Sequence, residues 1–228
     1  VLVKDSALNW EAVVETGPVS SMLCRLAVEK QADLAIVSTH GRTGLKRLFL
    51  GSVTERLLRT ISCPLLVVTP PEKTGRMEKQ FKGFGFKQIM VGCDFSADSG
   101  RAVEYGFNLA QEFQAVIHLV HVVEPFVYRD SMLPDSVKTE ALSEVATGCR
   151  QRLEDLVPAD AHNWCKVEIA CEAGKPFQAL KTYAGIHQVD LIVLGVRGHS
   201  LVETMLLGST TDRVIRGVAC PVLSVCPP

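Results

Sequence analysis

The clearest chemistry in the 228-residue chain lies in Gly195-Val196-Arg197-Gly198, nine further residues, and then Gly208-Ser209-Thr210. The segment follows an apolar run, Asp190 to Leu194, that reads as a strand. It leads into a stretch from about Ser209 to Gly217 that reads as a helix. Open α/β sheets bind ligands at such strand ends. Glycines let the backbone approach an anion closely. The start of a helix offers unpaired N–H groups and a positive dipole end. Ser209 and Thr210 add hydroxyl donors, and Arg197 and His199 add positive charge. The pattern suits a phosphate. The competing reading is a tight strand-to-helix turn whose glycines serve packing alone.

Other chemistry is harder to support. His118 and His121 form an H-x-x-H pair, but they fall in a β-branched run, Ala115 to Val123, that reads as a strand. Positions three apart on a strand face opposite sides, so the two imidazoles cannot share a metal. There is no G-x-x-x-x-G-K-[ST] loop and no G-x-S-x-G elbow, which argues against P-loop NTPases and α/β-hydrolases. The eight cysteines form no C-x-x-C pair and sit mostly in apolar runs. They read as reduced, buried thiols of a cytoplasmic protein, not as a zinc site or a disulfide framework.

The elements that would position the glycine segment occur twice. With a shift of 157 residues, Leu50-Gly51-Ser52-Val53-Thr54-Glu55-Arg56 falls on Leu207-Gly208-Ser209-Thr210-Thr211-Asp212-Arg213, and Cys63-Pro64 falls on Cys220-Pro221. His40-Gly41 falls on Arg197-Gly198, and the match extends from about Glu11 to Val68. The chain therefore holds two copies of one unit. The first occupies residues 1–69. A polar, basic linker spans 70–85, and the second copy occupies 86–228. The second copy alternates strand and helix: strands at Gln88–Gly92, Ala115–Val123, Lys166–Ala170, Asp190–Leu194 and Pro221–Val225, and helices after Ser96 or Asp98, from Pro134 to about Leu156, from Pro176 to His187, and from Ser209. Apolar strands alternating with helices predict a parallel sheet covered on both faces. The first copy retains only the last three strands and last two helices of this order. It looks truncated at its start, and Val1 reads as something other than a natural beginning.

The strand–Gly-x-x-Gly-x9-Gly-Ser/Thr–helix segment, followed by a Cys-Pro-apolar strand, resembles the universal stress protein family. So does the first strand of the second copy, which ends Gly92-Cys93-Asp94-Phe95-Ser96. The resemblance covers nearly all of the second copy and the remaining part of the first. It implies an open, parallel, five-stranded α/β sheet of order 3-2-1-4-5 with helices on both faces, here as a tandem repeat with an incomplete first copy. It also implies an ATP site in the second copy, with Mg accompanying the nucleotide. Asp94 would face the ribose or adenine, and the backbone near Val122 would contact adenine. Gly195, Arg197, Gly198 and His199 would line the phosphates, with Gly208, Ser209 and Thr210 at the helix start. The first copy has Ser38 at the first glycine position and no counterparts of Asp94 and Val122, so it should form no complete site. The Ser-Gly-Gly-x-Asp-Ser loop of the related ATP pyrophosphatases does not occur at Asp94–Ser99.

Two function classes follow: an ATP-binding regulatory stress protein, with no catalytic residue assigned, or a nucleotide-free dimerisation module of the same fold. An enzyme consuming ATP ranks below both, because no base or acceptor site is identifiable. A net charge of −1, from 24 basic and 25 acidic side chains, argues against a nucleic-acid binder. No apolar run approaches the roughly 20 residues of a membrane span, and no signal peptide is recognisable. The resemblance also implies pairing through the last strands, Pro64–Val68 with Pro221–Val225. The two copies are therefore expected to pack against each other, with a homodimer of chains as a further expectation.

Overall fold

The computed structural model describes residues 9–39, 50–69, 85–124, 135–196 and 208–226, with the side chains of 135–143 left aside. The linker proposed for 70–85 lies almost wholly outside these residues.

The first copy supplies α1 (Val19–Glu29), β1 (Ala35–Ser38), α2 (Ser52–Thr60) and β2 (Leu65–Val68). The second supplies β3 (Gln88–Gly92), α3 (Ala97–Phe113), β4 (Val116–Val123), α4 (Asp135–Glu154), β5 (Val167–Ala173), α5 (Pro176–Ile186), β6 (Leu191–Gly195), α6 (Ser209–Gly217) and β7 (Val222–Val225). One seven-stranded sheet runs in the order β1-β2-β7-β6-β3-β4-β5. Its last five strands, read from the far edge, give the expected 3-2-1-4-5 order, and all of their pairings are parallel. Helices cover both faces. One core joins β2, β3, β6 and β7 to α2, α5 and α6, and the other joins β3, β4, β6 and β7 to α3 and α4. Ser96 caps α3 as its sequence suggests, its side chain accepting a hydrogen bond from the Ser99 N–H.

The repeat is legible bond by bond. Thr211 Oγ1 donates to the Gly195 carbonyl at 2.9 Å, and Thr54 Oγ1 donates to the Ser38 carbonyl at 3.1 Å. Gly208 N–H to Val196 O (2.9 Å) is matched by Gly51 N–H to Thr39 O (3.1 Å). Even the left-handed residues correspond, Gln31 with Gln188 and Gly17 with Gly174.

The copies meet as expected, through the antiparallel pair β2–β7. Its register is Leu65↔Ser224, Leu66↔Leu223 and Val67↔Val222. Leu66 and Leu223 are themselves repeat counterparts, so the pairing is symmetric about that rung, a local two-fold relation between unequal copies.

The first copy departs from expectation in one respect. Of its three expected strands the structure forms two. Residues 9–16, which include the counterpart of β5, have no regular structure. The cause lies in the pairing. β5 is held by β4, and the first copy has no β4 counterpart in the sequence. The lack of a β3 counterpart, the strand that borders β6 in the second copy, leaves β1 at the edge of the sheet. Ile36 is 61% exposed, whereas its counterpart Val193, paired with β3 and covered by α3, is 0% exposed. No helix among the described residues is long and apolar enough to cross a membrane.

Candidate functional site

β3 is the switch point of the second copy. It pairs with β4 on one side and β6 on the other, so the connections leaving its end diverge and open a crevice. A cavity of about 290 Å³ occupies that crevice. The volume lies near the low end of the roughly 300–1,000 Å³ common for small-molecule sites.

Each wall has a local cause. From β3 come Gly92 and Asp94, from β4 His121 and Val122, from β6 Leu194 and Gly195, and from the start of α6 Gly208, Ser209, Thr210 and Thr211. Asp94 is fixed by a short turn. Its Oδ1 accepts the Ser96 N–H at 3.0 Å and the Ser96 hydroxyl at 2.6 Å. Between them Phe95 takes the left-handed conformation, φ 64°. That turn ends β3 and hands the chain to Ser96, the cap of α3, so the carboxylate stays at the strand end. Gly208 leads into α6 with no side chain capping the helix. The first-turn N–H groups of a helix have no partner within it, so here they present positive partial charge beside the cavity. Thr211 ties that turn back to Gly195.

Gly195 has a packing role as well. A Cβ on it would lie 2.8 Å from the Asp98 carbonyl carbon and 2.9 Å from the Ser99 nitrogen, so the first turn of α3 requires a glycine here. Gly92 is similarly closed off, with Leu194 Cδ2 2.5 Å from the position of its absent Cβ.

The structure thus brings Asp94, Val122, Gly195, Gly208, Ser209 and Thr210 around one cavity. Arg197, Gly198 and His199 lie outside the described residues. Among the described lining residues there is no Lys or Arg, so the positive character comes from the α6 end.

Sequence reading passed over His121, Glu124, Pro176 and Leu180, which also line the cavity. His121 donates from Nδ1 to the Cys93 carbonyl at 2.8 Å, and its ring lies 4.6 Å from that of Phe95. Arg152 stacks on Phe95 from outside, its Cζ 3.7 Å from the ring centre. The signal for His121 was strand alternation. His118 faces α5, where it meets Tyr183, which leaves His121 on the other side. The two imidazoles do not meet, and no group of three metal-ligating side chains occurs among the described residues. Burial pushes the Cys93 thiol, beside Asp94, above its usual range.

Comparison with known proteins gives a consistent result. The profile of the universal stress protein family matches residues 2–69 and 85–225. A universal stress protein of Methanocaldococcus jannaschii is 34% identical over 146 residues, covering 63% of this chain and 84% of the relative. Universal stress protein UspA from Lactobacillus plantarum superposes with a TM-score of 0.51 at 27% identity, over 63% of this chain and 99% of that one. A universal stress protein from Archaeoglobus fulgidus spans both copies, with 91% of this chain and 66% of that chain aligned, a TM-score of 0.60 and 22% identity; this last likeness is one of fold.

Proposed function

The chain belongs to the universal stress protein family, and from that premise we propose that its second copy binds an adenine nucleotide, ATP in the first instance, as a regulatory protein and not as an enzyme. The observation that carries this reading is the convergence of Asp94, Val122 and the uncapped start of α6 on one cavity at the switch point of the sheet. In this reading Asp94 accepts hydrogen bonds from ribose hydroxyls, and Val122 flanks the flat base. The phosphates lie toward Gly208, Ser209 and Thr210, where helix N–H groups and hydroxyls donate. Arg197, Gly198 and His199 complete the phosphate contacts by their spacing in the motif.

Mg²⁺ fits as a passenger of the nucleotide. It usually keeps several waters and takes one or two carboxylates plus phosphate oxygens, and Asp94 is the acidic side chain at the β3 end of the cavity. The ion would neutralise phosphate charge, while the chain's own groups orient the nucleoside.

The first copy is assigned no nucleotide, because it lacks counterparts of Asp94 and Val122. One site per chain follows. A cytoplasmic location is part of the same reading, supported by the chain's eight cysteines, which form no C-x-x-C pair and sit mostly in apolar runs.

A second reading is favoured by two specific contacts: Gly195 is demanded by Asp98 whatever the cavity holds, and the β2–β7 pairing is that of an interaction module. Nucleotide content separates the two readings. The purified chain is denatured, the precipitate removed, and released nucleotide identified and counted by mass spectrometry, with calorimetric titration of Mg-ATP into emptied protein. About one adenine nucleotide per chain supports the regulatory binder. No released nucleotide together with no heat of binding leaves the interaction module standing, and carriage of the fold into homodimers is then its first property to measure.

A further inference from the structure

The ladder between β3 and β4 ends where the cavity opens. Its register stops at Gly92↔Val120, and the Cys93 N–H still reaches the Val120 carbonyl at 2.9 Å. Beyond that point a side chain takes over. The Cys93 carbonyl accepts from Nδ1 of His121 at 2.8 Å. The His121 ring also lies 4.6 Å from that of Phe95, with 38° between the planes. Cys93 and Phe95 are the two chain neighbours of Asp94. One imidazole therefore grips the backbone on one side of the carboxylate and the aromatic ring on the other.

Phe95 needs such a grip. Its φ of 64° is a conformation that a bulky side chain seldom adopts, and such backbone persists only where its surroundings over-determine it. The bonds of Asp94 Oδ1 to Ser96 close the turn from within, at 3.0 and 2.6 Å. Two side chains hold the Phe95 ring from other elements: His121 from β4, and Arg152 from α4 with its Cζ 3.7 Å from the ring centre. Each is anchored in the core by its neighbour. Val120, before His121, is 1% exposed, and Leu153, after Arg152, is 0% exposed.

We propose that His121 is a positioning residue of the nucleotide site: acting through Cys93 and Phe95, it holds Asp94 in the direction from which the carboxylate accepts ribose hydroxyls, and Arg152 backs the Phe95 ring. The inference rests on the reading of the cavity as an adenine-nucleotide site. Because His121 also lines that cavity, a direct contact with the nucleotide is the competing role. The two differ in what they predict. A residue that acts through Asp94 affects only the ribose contact, whereas a direct contact is lost whatever the ribose carries.

ATP and 2′,3′-dideoxy-ATP, which lacks both ribose hydroxyls, are titrated with Mg into the emptied full chain. Wild type should prefer ATP by about tenfold. His121→Ala should bind ATP about tenfold more weakly and the dideoxy nucleotide as wild type does, so the preference collapses. His121→Phe, which keeps a ring beside Phe95 but cannot donate to Cys93, should fall between. Arg152→Ala, at an exposed position that leaves the fold intact, should lose a smaller share of the same preference. In an Asp94→Ala chain, His121→Ala should weaken ATP no further, because residues that act through one group are not additive. Urea midpoints measured beside the affinities separate folding from positioning. An undiminished ATP preference in the His121 and Arg152 variants, or an equal loss for both nucleotides, would overturn the proposal and leave the nucleotide reading in place. A wild-type chain that binds both nucleotides alike would remove the ribose contact and the proposal with it, and one that binds neither would overturn the nucleotide reading as well.

Discussion

Gly195, at the end of β6, packs against Asp98 in the first turn of α3 so closely that its missing Cβ would lie 2.8 Å from the Asp98 carbonyl carbon and 2.9 Å from the Asp98 Cβ. The counterpart of Gly195 is Ser38, and among the described residues no counterpart of α3 stands behind it. The glycine of one copy and the serine of the other thus have a common explanation: among the described residues a helix packs behind one strand end and not behind the other.

Gly195→Ala is therefore expected to lower stability by about 1–3 kcal/mol, as overpacking against backbone does. Ser38→Gly should change it far less. Urea denaturation followed by circular dichroism measures both, and equal midpoints for wild type and Gly195→Ala would remove the packing role.

Asp94→Ala should weaken Mg-ATP binding by tenfold or more, since hydrogen bonds to a charged group contribute about 1.5–3 kcal/mol. The fold should survive, because the carboxylate's described bonds go to Ser96 in the same turn. Asp94→Asn keeps an acceptor oxygen and should lose less. Calorimetry on both variants, beside their circular dichroism, makes the comparison. Unchanged affinity in Asp94→Ala would withdraw the ribose assignment.

Periodicity and repeat together made most of this fold legible. The 157-residue shift, the alternation of strand and helix and the place of the cavity at a strand end follow from residues such as Gly208-Ser209, whose local preferences agree with their tertiary positions; the strand order follows from the family resemblance that these residues and Asp94-Phe95-Ser96 carry. The strand expected near residues 9–13 was not legible, because a strand is made by its neighbour and the first copy has no β4. His121 was undervalued for a related reason. Alternation tells which face it takes, but only the turn at Phe95 brings Cys93 and the Phe95 ring to meet it.

His118 sets a pH dependence. It is 3% exposed, with Nδ1 3.1 Å from the Tyr183 hydroxyl and Nε2 2.8 Å from Gln88 Oε1. As the Gln88 carbonyl can only accept, Nε2 carries the proton and Nδ1 accepts from the phenol. Burial, then the nearby His187 and Lys166, lower its pKa against the opposing pull of Glu168. The Tyr183 phenol, pushed up by burial to about 12, stays protonated throughout. A histidine held below its unfolded value favours the neutral form when folded. Stability should therefore fall as pH drops below the unfolded value of about 6.5 and stop falling once His118 is protonated in the fold. His118→Gln should flatten the difference in urea midpoint between about pH 8 and pH 5. A variant as pH-sensitive as wild type would place the effect elsewhere.

Leu66, opposite Leu223 at the centre of the local two-fold relation, is where the pairing of the copies is most open to attack. Leu66 packs into the core on the α3 face, so a carboxylate there would lose its water without gaining a partner. Leu66→Asp should destabilise the pairing by about 1–3 kcal/mol. Hydrogen exchange should quicken at the β2 amides, whereas β7 stays protected by its parallel partner β6. Arg216 also reaches across the copies, its Nη2 3.7 Å from Glu55 Oε2, but both side chains are partly exposed and Arg216 is held mainly by Asp212. Arg216→Ala should therefore cost less than about 1 kcal/mol. If the arginine variant proved the more damaging, the copies would be held by charge across α2 and α6 and not by the apolar strand pair.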